Sequence, residues 1–217
     1  MINVDLHVHT FCSADELTSR QEVVDVSVQR GLGAWAITDH NTISGARSVQ
    51  EIEPLSVVIG EEISASGGEM VGVFLEREVP KGFWAEDTVR LIKAQGALAG
   101  VPHPVDRLRR ESMDREVLEG LIASLDFLEV LSRRVTLLED NRRAREFALL
   151  HGLACTAGSD AHNRFELGRV YLEMERFDGR DEFVERRREG RVVGTRSPFW
   201  VHFCSISARV LRSLHGG

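Results

Sequence analysis

Residues 1–10 read MINVDLHVHT. Ile2, Val4, Leu6 and Val8 alternate with Asn3, Asp5, His7 and His9, the two-residue period of a strand. One face is apolar; the other carries an aspartate and two imidazoles. Residues two apart on a strand point the same way and rise by about 6.6 Å. Two imidazoles so placed lean together and can share one metal ion, with metal–nitrogen bonds of about 2.0–2.1 Å. Asp5, on the same face, is placed to orient one of the rings. A lone His-x-His is more often a partly exposed or core-satisfied pair than a metal site. The reading therefore depends on the rest of the chain.

Strand and helix signals alternate from there. Ser19 and Glu22 form a capping box that opens a helix, and Gly31 stops it. GAWAITDHNT (33–42) is a second apolar run, ending in Asp39-His40. A short helix from Ser44 leads to LSVVIGEEIS (55–64), a third run that ends in acid. EMVGVFL (69–75) is a fourth strand, hairpinned to the third through Gly67-Gly68. AEDTVRLIKAQG (85–96) is an amphipathic helix stopped by Gly96. ALAGVPHP (97–104) is a fifth strand broken by two prolines. A helix near 112–124 precedes FLEVL (127–131), and one near 137–150 precedes LACTAGSDAH (153–162). GRVYLEM, the helix DEFVERRREG and a short RVVG complete the pattern. Arg186-Arg187-Arg188 sits among glutamates and reads as a solvated helix face.

This alternation favours a parallel α/β sheet, either an open doubly wound sheet or a barrel. At 217 residues with 42% hydrophobic composition, the chain suits one domain, spanning 1–217, with a sizeable core. A net charge of −7 argues against a general nucleic-acid binder. Cys12, Cys155 and Cys204 are few, odd in number and dispersed, which suggests neither a disulfide framework nor a thiolate metal site. There is no signal-peptide pattern and no run of about 18 apolar residues. The expectation is a cytoplasmic globular protein with no membrane association.

The polar residues of interest share one address. His7 and His9 end the first strand, Asp39-His40 the second, Glu61 the third, His103 the fifth, and Asp160 and His162 the seventh. Strands running the same way bring those ends to one face, and in a barrel they converge. Convergence favours the barrel. Of Glu61 and Glu62, one faces inward, and Glu61 is the favoured choice. The prolines around His103 aim its ring rigidly. Asp160 and His162, two apart, share a face if their segment is extended. Asp15 lies in the loop after the first strand. Five of the eight histidines fall in this set. Gathering so many ionisable groups without a cation is costly through repulsion and desolvation. Histidine and carboxylate donors without thiolate suit zinc, manganese or iron, and eight donors imply two or three ions. His151, His202 and His215 read as structural or exposed.

As a set, DLHVHT, SADE, TDHNT, GEEIS, PHP and GSDAH, in that order over residues 5–162, resemble the polymerase-and-histidinol-phosphatase (PHP) superfamily. The resemblance implies a distorted (β/α)7 barrel whose members hydrolyse phosphate esters at a two- or three-metal centre. By position it implies one ion on His7, His9, Glu61 and Asp160. A second would share Glu61 and take His103, and a third would take Asp15, His40 and His162. Many relatives carry a further histidine after the sixth strand. Here LEVLSRR offers Glu129, Ser132, Arg133 and Arg134 instead, which leaves the second site less complete. Asp39 becomes a supporting carboxylate.

Catalysis would fall to Asp160, His103 and a phosphate-holding cation. Arg134 is the first choice for that cation, since arginine grips phosphate bidentately, and Arg107 is the second. The expected reaction is attack on phosphorus by a metal-bound hydroxide. Short loops predict a shallow, open site for a small phosphorylated metabolite or a nucleotide, and the acidic balance argues against long nucleic acid. The competing expectations are a non-catalytic regulatory or scaffolding PHP module, and an amide or lactone hydrolase. An intact donor set disfavours the first. The second would be favoured by a lysine ligand, but neither Lys81 nor Lys93 ends a barrel strand.

Overall fold

Each apolar run becomes a strand. The computed structural model of the protein describes residues 1–10, 12, 19–50 and 56–194. The strands are β1 (Ile2–Val8), β2 (Leu32–Ile37), β3 (Ser56–Ala65), β4 (Gly68–Val73), β5 (Leu98–Val101), β6 (Phe127–Ser132), β7 (Ala154–Gly158), β8 (Val170–Met174) and β9 (Arg191–Gly194). The helices are α1 (Arg20–Gln29), α2 (Ser44–Gln50), α3 (Ala85–Lys93), α4 (Arg115–Leu121), α5 (Leu138–Leu150) and α6 (Gly179–Arg186). Ser19 caps α1 as expected: its Oγ accepts from Glu22 N, and Glu22 Oε2 accepts from Ser19 N at 3.0 Å. No helix among the described residues is long and apolar enough to cross a membrane.

The sheet order is β7-β6-β5-β4-β3-β2-β1-β8-β9. Neighbouring strands from β1 to β3 and from β5 to β7 are parallel, while β4 runs antiparallel to both β3 and β5. The expected hairpin is thus the one reversed stave. Gly67 and Gly68 turn it with φ of 97° and 138°, the left-handed region that glycine tolerates. The sheet curls until β7 meets β1. His9 N donates to Ala161 O (3.1 Å), Asp160 N to His7 O (2.8 Å) and Ser159 N to Asp5 Oδ1 (2.9 Å). The result is a nearly closed seven-stranded α/β barrel. The last segment differs from a simple βα unit: β8 and β9 pair antiparallel and lie beside the first half of β1.

β1 is not a uniform alternation. Its register against β2 shifts between Asp5 and Val8, three steps on β1 for two on β2. This bulge switches the face. Val4 and Leu6 pack with Ala34, Ala36, Val58 and Val73 in the barrel interior. Val8 packs outside with Trp35 and Ile37. His7 and His9 can then both project into the mouth above Leu6. Bulges commonly re-aim side chains in this way beside active sites. The barrel is tightly filled below. A Cβ at Gly100 would lie 2.1 Å from the buried Phe127 ring. Gly100→Ala should destabilise the chain by about 1–3 kcal/mol, read from the denaturant midpoint at unchanged m-value.

Arg187 is a further departure from expectation. It lies in the 3-10 turn after α6 and is only 8% exposed, so the arginine run is not simply a solvated face.

Candidate metal centre

β1 and its end, β3 and the turn after β7 bring four donor atoms together. His7 Nε2 and His9 Nε2 are 3.1 Å apart, and each lies 3.4 Å from Glu62 Oε2. Asp160 Oδ1 is 3.3 Å from His9 Nε2 and 3.9 Å from His7 Nε2. A tetrahedral ion with bonds of 2.0–2.1 Å keeps neighbouring donors about 3.3 Å apart. The spacing of His7, His9 and Asp160 therefore fits one ion, with Glu62 Oε2 close to both imidazoles. Glu62 Oε2 and Asp160 Oδ1 are buried against imidazole nitrogens, an arrangement of donor atoms that a cation would hold together.

Further donors surround these. His103 Nε2 is 3.1 Å from Glu62 Oε1 and 3.7 Å from Glu69 Oε2. His40 Nδ1 is 3.0 Å from Glu62 Oε2, and the ring nitrogens of His9, His40 and His162 form another compact group. His162 Nδ1 lies 3.3 Å from Asp160 Oδ1. Glu62 is thus the hub, shared among histidines from β1, the turn after β2 and the turn after β5. Asp15 lies outside the described residues. Two of the ligand-type residues occupy strained backbone: His103 has φ 30° and Asp160 φ 50°. Such conformations cost about 1–3 kcal/mol each in non-glycine residues, persist only where the surrounding structure holds them, and cluster at functional sites. Asp160–His162 is therefore not an extended segment; the turn itself, with Asp160 in the left-handed region, brings the two side chains together.

Glu61, favoured from sequence for the inward position, is turned away: Glu62 takes the hub instead. β3 runs on to Ala65, so the two glutamates lie inside the strand rather than at its end. The pleat puts Glu61 on the side of Ile63, which packs in the outer core. There Glu61 Oε2 accepts from Val79 N (2.8 Å), and burial with nearby Glu78 pushes its carboxyl up to about 7. Asp5 also differs from expectation. It ties the β1–β7 seam through Ser159 N and Gly168 N rather than orienting a ring. Glu129 has that role: its Oε2 is 2.8 Å from His7 Nδ1, which leaves His7 Nε2 facing the cluster. Asp39 anchors the strand end by accepting from Thr10 N and Thr10 Oγ1, both at 2.6 Å.

Glu129→Gln should weaken binding of a divalent ion by about 10–100-fold, as loss of an orienting carboxylate does, measured by competition with a chelating dye.

The electrostatics are mixed. Burial alone would lower His7, but Glu62, Glu129 and Asp160 outweigh it and hold the ring well above its usual value. Burial, then His162 and His40, push His9 well below. Burial would raise Asp160, but Arg109 and His7 hold it well below the carboxylate range. Burial and Glu62 push Glu69 up to about 8.

Arg109 and Glu69 were missed from sequence. Arg109 Nη2 donates to Asp160 Oδ2 at 2.7 Å. It is one of three arginines in PVDRLRR, and spacing alone does not separate them. Arg107 instead binds Asp140 (Nε–Oδ1 2.8 Å), and Arg134 is buried with Nε 3.9 Å from Glu166 Oε1. Glu69 was legible in part. The β3–β4 register pairs it with Ser64, which shares the Glu62 face. Nor is the centre shallow. His7, His9, Glu62, His103, Asp160 and His162 are at most 4% exposed. Arg109 joins them to an adjoining cleft of about 720 Å³ between the β5–α4 loop and α5.

A curled seven-stranded sheet with histidines and carboxylates gathered at its C-terminal mouth defines a PHP-type barrel. Comparison with known proteins agrees. The family model described as PHP-associated matches residues 139–192. An uncharacterized protein of Methanocaldococcus jannaschii is 31% identical over 176 residues, covering 80% of this chain and 70% of the relative. A two-domain protein of Bacteroides vulgatus, containing a predicted PHP-like metal-dependent phosphoesterase, superposes with a TM-score of 0.71 at 19% identity. The match covers 89% of this chain but 65% of that longer one. An amidohydrolase of Chromobacterium violaceum, with bound sulfate and no metal, superposes with a TM-score of 0.59 at 20% identity, covering 74% and 87% of the two chains. The chain belongs to the PHP family.

Proposed function

We propose that the protein is a metal-dependent hydrolase of phosphate esters, acting on a small phosphorylated metabolite or a nucleotide with two or three divalent ions. One observation carries this reading: the buried donors of His7, His9 and Asp160 are spaced as ligands of one ion, and Glu62 Oε2 lies 3.4 Å from both imidazoles. His103, His40, His162 and, from its sequence position, Asp15 would hold the remaining ions, with Glu62 shared. When bound, the ions supply Lewis acidity, which lowers the pKa of water and neutralises phosphoryl charge.

The chain's own groups do the rest. Glu129 fixes the His7 tautomer. Arg109 holds Asp160 and lines the cleft, so its guanidinium is the group best placed to meet a phosphoryl oxygen. It takes over the part that sequence assigned to Arg134, which backs the site through Glu166 and its bond to His162 N. The apolar wall of the cleft, including Met113, Leu118 and Phe147, suits the organic portion of an ester.

The test pairs elemental analysis with a screen of phosphomonoesters, nucleotides, cyclic diesters, aryl phosphates, amides and lactones, with manganese or zinc added. Phosphate release at a metal content of two or more ions per chain supports the reading. Turnover of amides or lactones alone replaces it with the amidohydrolase alternative, and metal without any turnover leaves a binding module. Arg109→Ala should lower kcat/KM for the phosphate ester by about 100-fold, or ~2.7 kcal/mol, with partial rescue by added guanidinium.

A further inference from the structure

We propose a second binding site, for a small phosphate-bearing organic anion, at the end of the barrel opposite the metal centre. A cavity of about 950 Å³ opens there, at the N-terminal ends of β6 and β7, beneath the C-terminus of α5. That volume is in the range of small-molecule sites. Its wall carries Arg145, Arg187, Arg188 and Arg191 beside apolar Leu149 and Val192.

Arg187 carries the argument. It is 8% exposed, its Nη2 donates to Asp126 O (3.2 Å), and its guanidinium lies 6.0 Å from the Phe183 ring centroid. Its Nε and Nη1 are buried with no hydrogen-bond partner. A buried cation without an ion pair is strongly disfavoured, which points to an external counter-ion. Among the described residues the Asp126 carboxylate favours the Arg187 charge, but makes no ion pair with it. The Asp126 carboxylate is committed to Lys93 Nζ (2.6 Å) and Ala99 N (2.8 Å). Glu173 already pairs with Arg191 (2.8 Å). Among the described residues, no carboxylate pairs with Arg145, Arg187 or Arg188, and residues 195–217 contain neither Asp nor Glu. Three guanidiniums with no carboxylate paired to them, around one polar cavity, match a multiply charged oxyanion, which arginine binds bidentately. The apolar side of the wall gives room for an organic body. The site shares no residue with the metal centre, so it stands apart from the proposed hydrolysis.

The test is calorimetric titration of the full metal-loaded chain with phenylphosphonate, which has no ester bond to hydrolyse, and with inorganic phosphate. Phenylphosphonate should bind saturably and more tightly than phosphate. The double variant Arg145→Ala/Arg188→Ala should weaken it by about tenfold or more, at an unchanged melting temperature. Glu62→Gln, which disables the metal centre, should leave this binding intact. Bound phenylphosphonate should also slow alkylation of Cys155, which lines the cavity. Arg187→Met should abolish binding and leave the ligand-free chain as stable as before or more so. The proposal is overturned by absence of saturable binding at millimolar phenylphosphonate, or by binding that survives the double arginine variant and vanishes in Glu62→Gln. Loss of stability in ligand-free Arg187→Met would likewise make Arg187 a structural residue.

Discussion

Glu62→Gln is expected to lower kcat/KM for phosphate-ester hydrolysis by about 100-fold or more and to reduce the bound metal by at least one ion per chain. The adjacent Glu61→Gln should change neither. The contrast follows from the pleat of β3. Glu62 Oε2 lies within 3.4 Å of three imidazole nitrogens, from His7, His9 and His40, and Glu62 Oε1 lies 3.1 Å from His103 Nε2. Replacing it removes the one anion common to every histidine group except His162. Glutamine keeps the shape but brings an amide N–H2 against nitrogens that must face a cation. Glu61, one residue earlier, only accepts from Val79 N, and a glutamine oxygen can still do so. Equal losses in both variants would mean that β3 merely tolerates no change there, and the metal hub would be lost as an explanation.

Much of this was legible before any coordinates. The order of apolar runs, the hairpin at Gly67-Gly68 and the capping box at Ser19 are local signals, and local signals survive folding. The convergence of His7, His9, His40, His103, Asp160 and His162 also followed from strand ends alone. What was hidden depends on pairing between distant segments. The β1 bulge exists only as a mismatch of steps against β2, so plain alternation put all of Val4, Leu6 and Val8 on one face. The Glu61/Glu62 choice turned on where β3 ends, which is set by its antiparallel ladder with β4. Arg109 was one of three near-equivalent arginines until the loop brought it to Asp160. Arg187 looked solvated because neighbouring glutamates are a composition signal, whereas its burial arises from packing on Phe183 and Asp126.

Removal and return of divalent ions should move the stability of the whole chain. Any ligand that binds the native state alone stabilises it by RT ln(1 + [L]/Kd), about 2.7 kcal/mol at one hundred times Kd. For a chain of this size each kcal/mol corresponds to roughly 2–4 °C, so stripping the ions with a chelator should lower the melting temperature by about 5–10 °C. Adding zinc or manganese should restore it. The ligands come from β1, β3 and the turns after β2, β5 and β7, so an ion ties both sides of the β1–β7 seam together. That seam otherwise rests on a few bonds, His9 N to Ala161 O and Asp160 N to His7 O among them. Ion binding should accordingly slow amide exchange at His9 and Asp160 more than in the β8–β9 pair, which contributes no ligand. Glu62→Gln should show a much smaller metal-dependent shift, while Glu61→Gln should shift as the parent does. If chelation leaves both melting temperature and seam exchange unmoved, the histidine–carboxylate contacts suffice to hold the mouth closed, and the cluster is a structural network rather than a cation site.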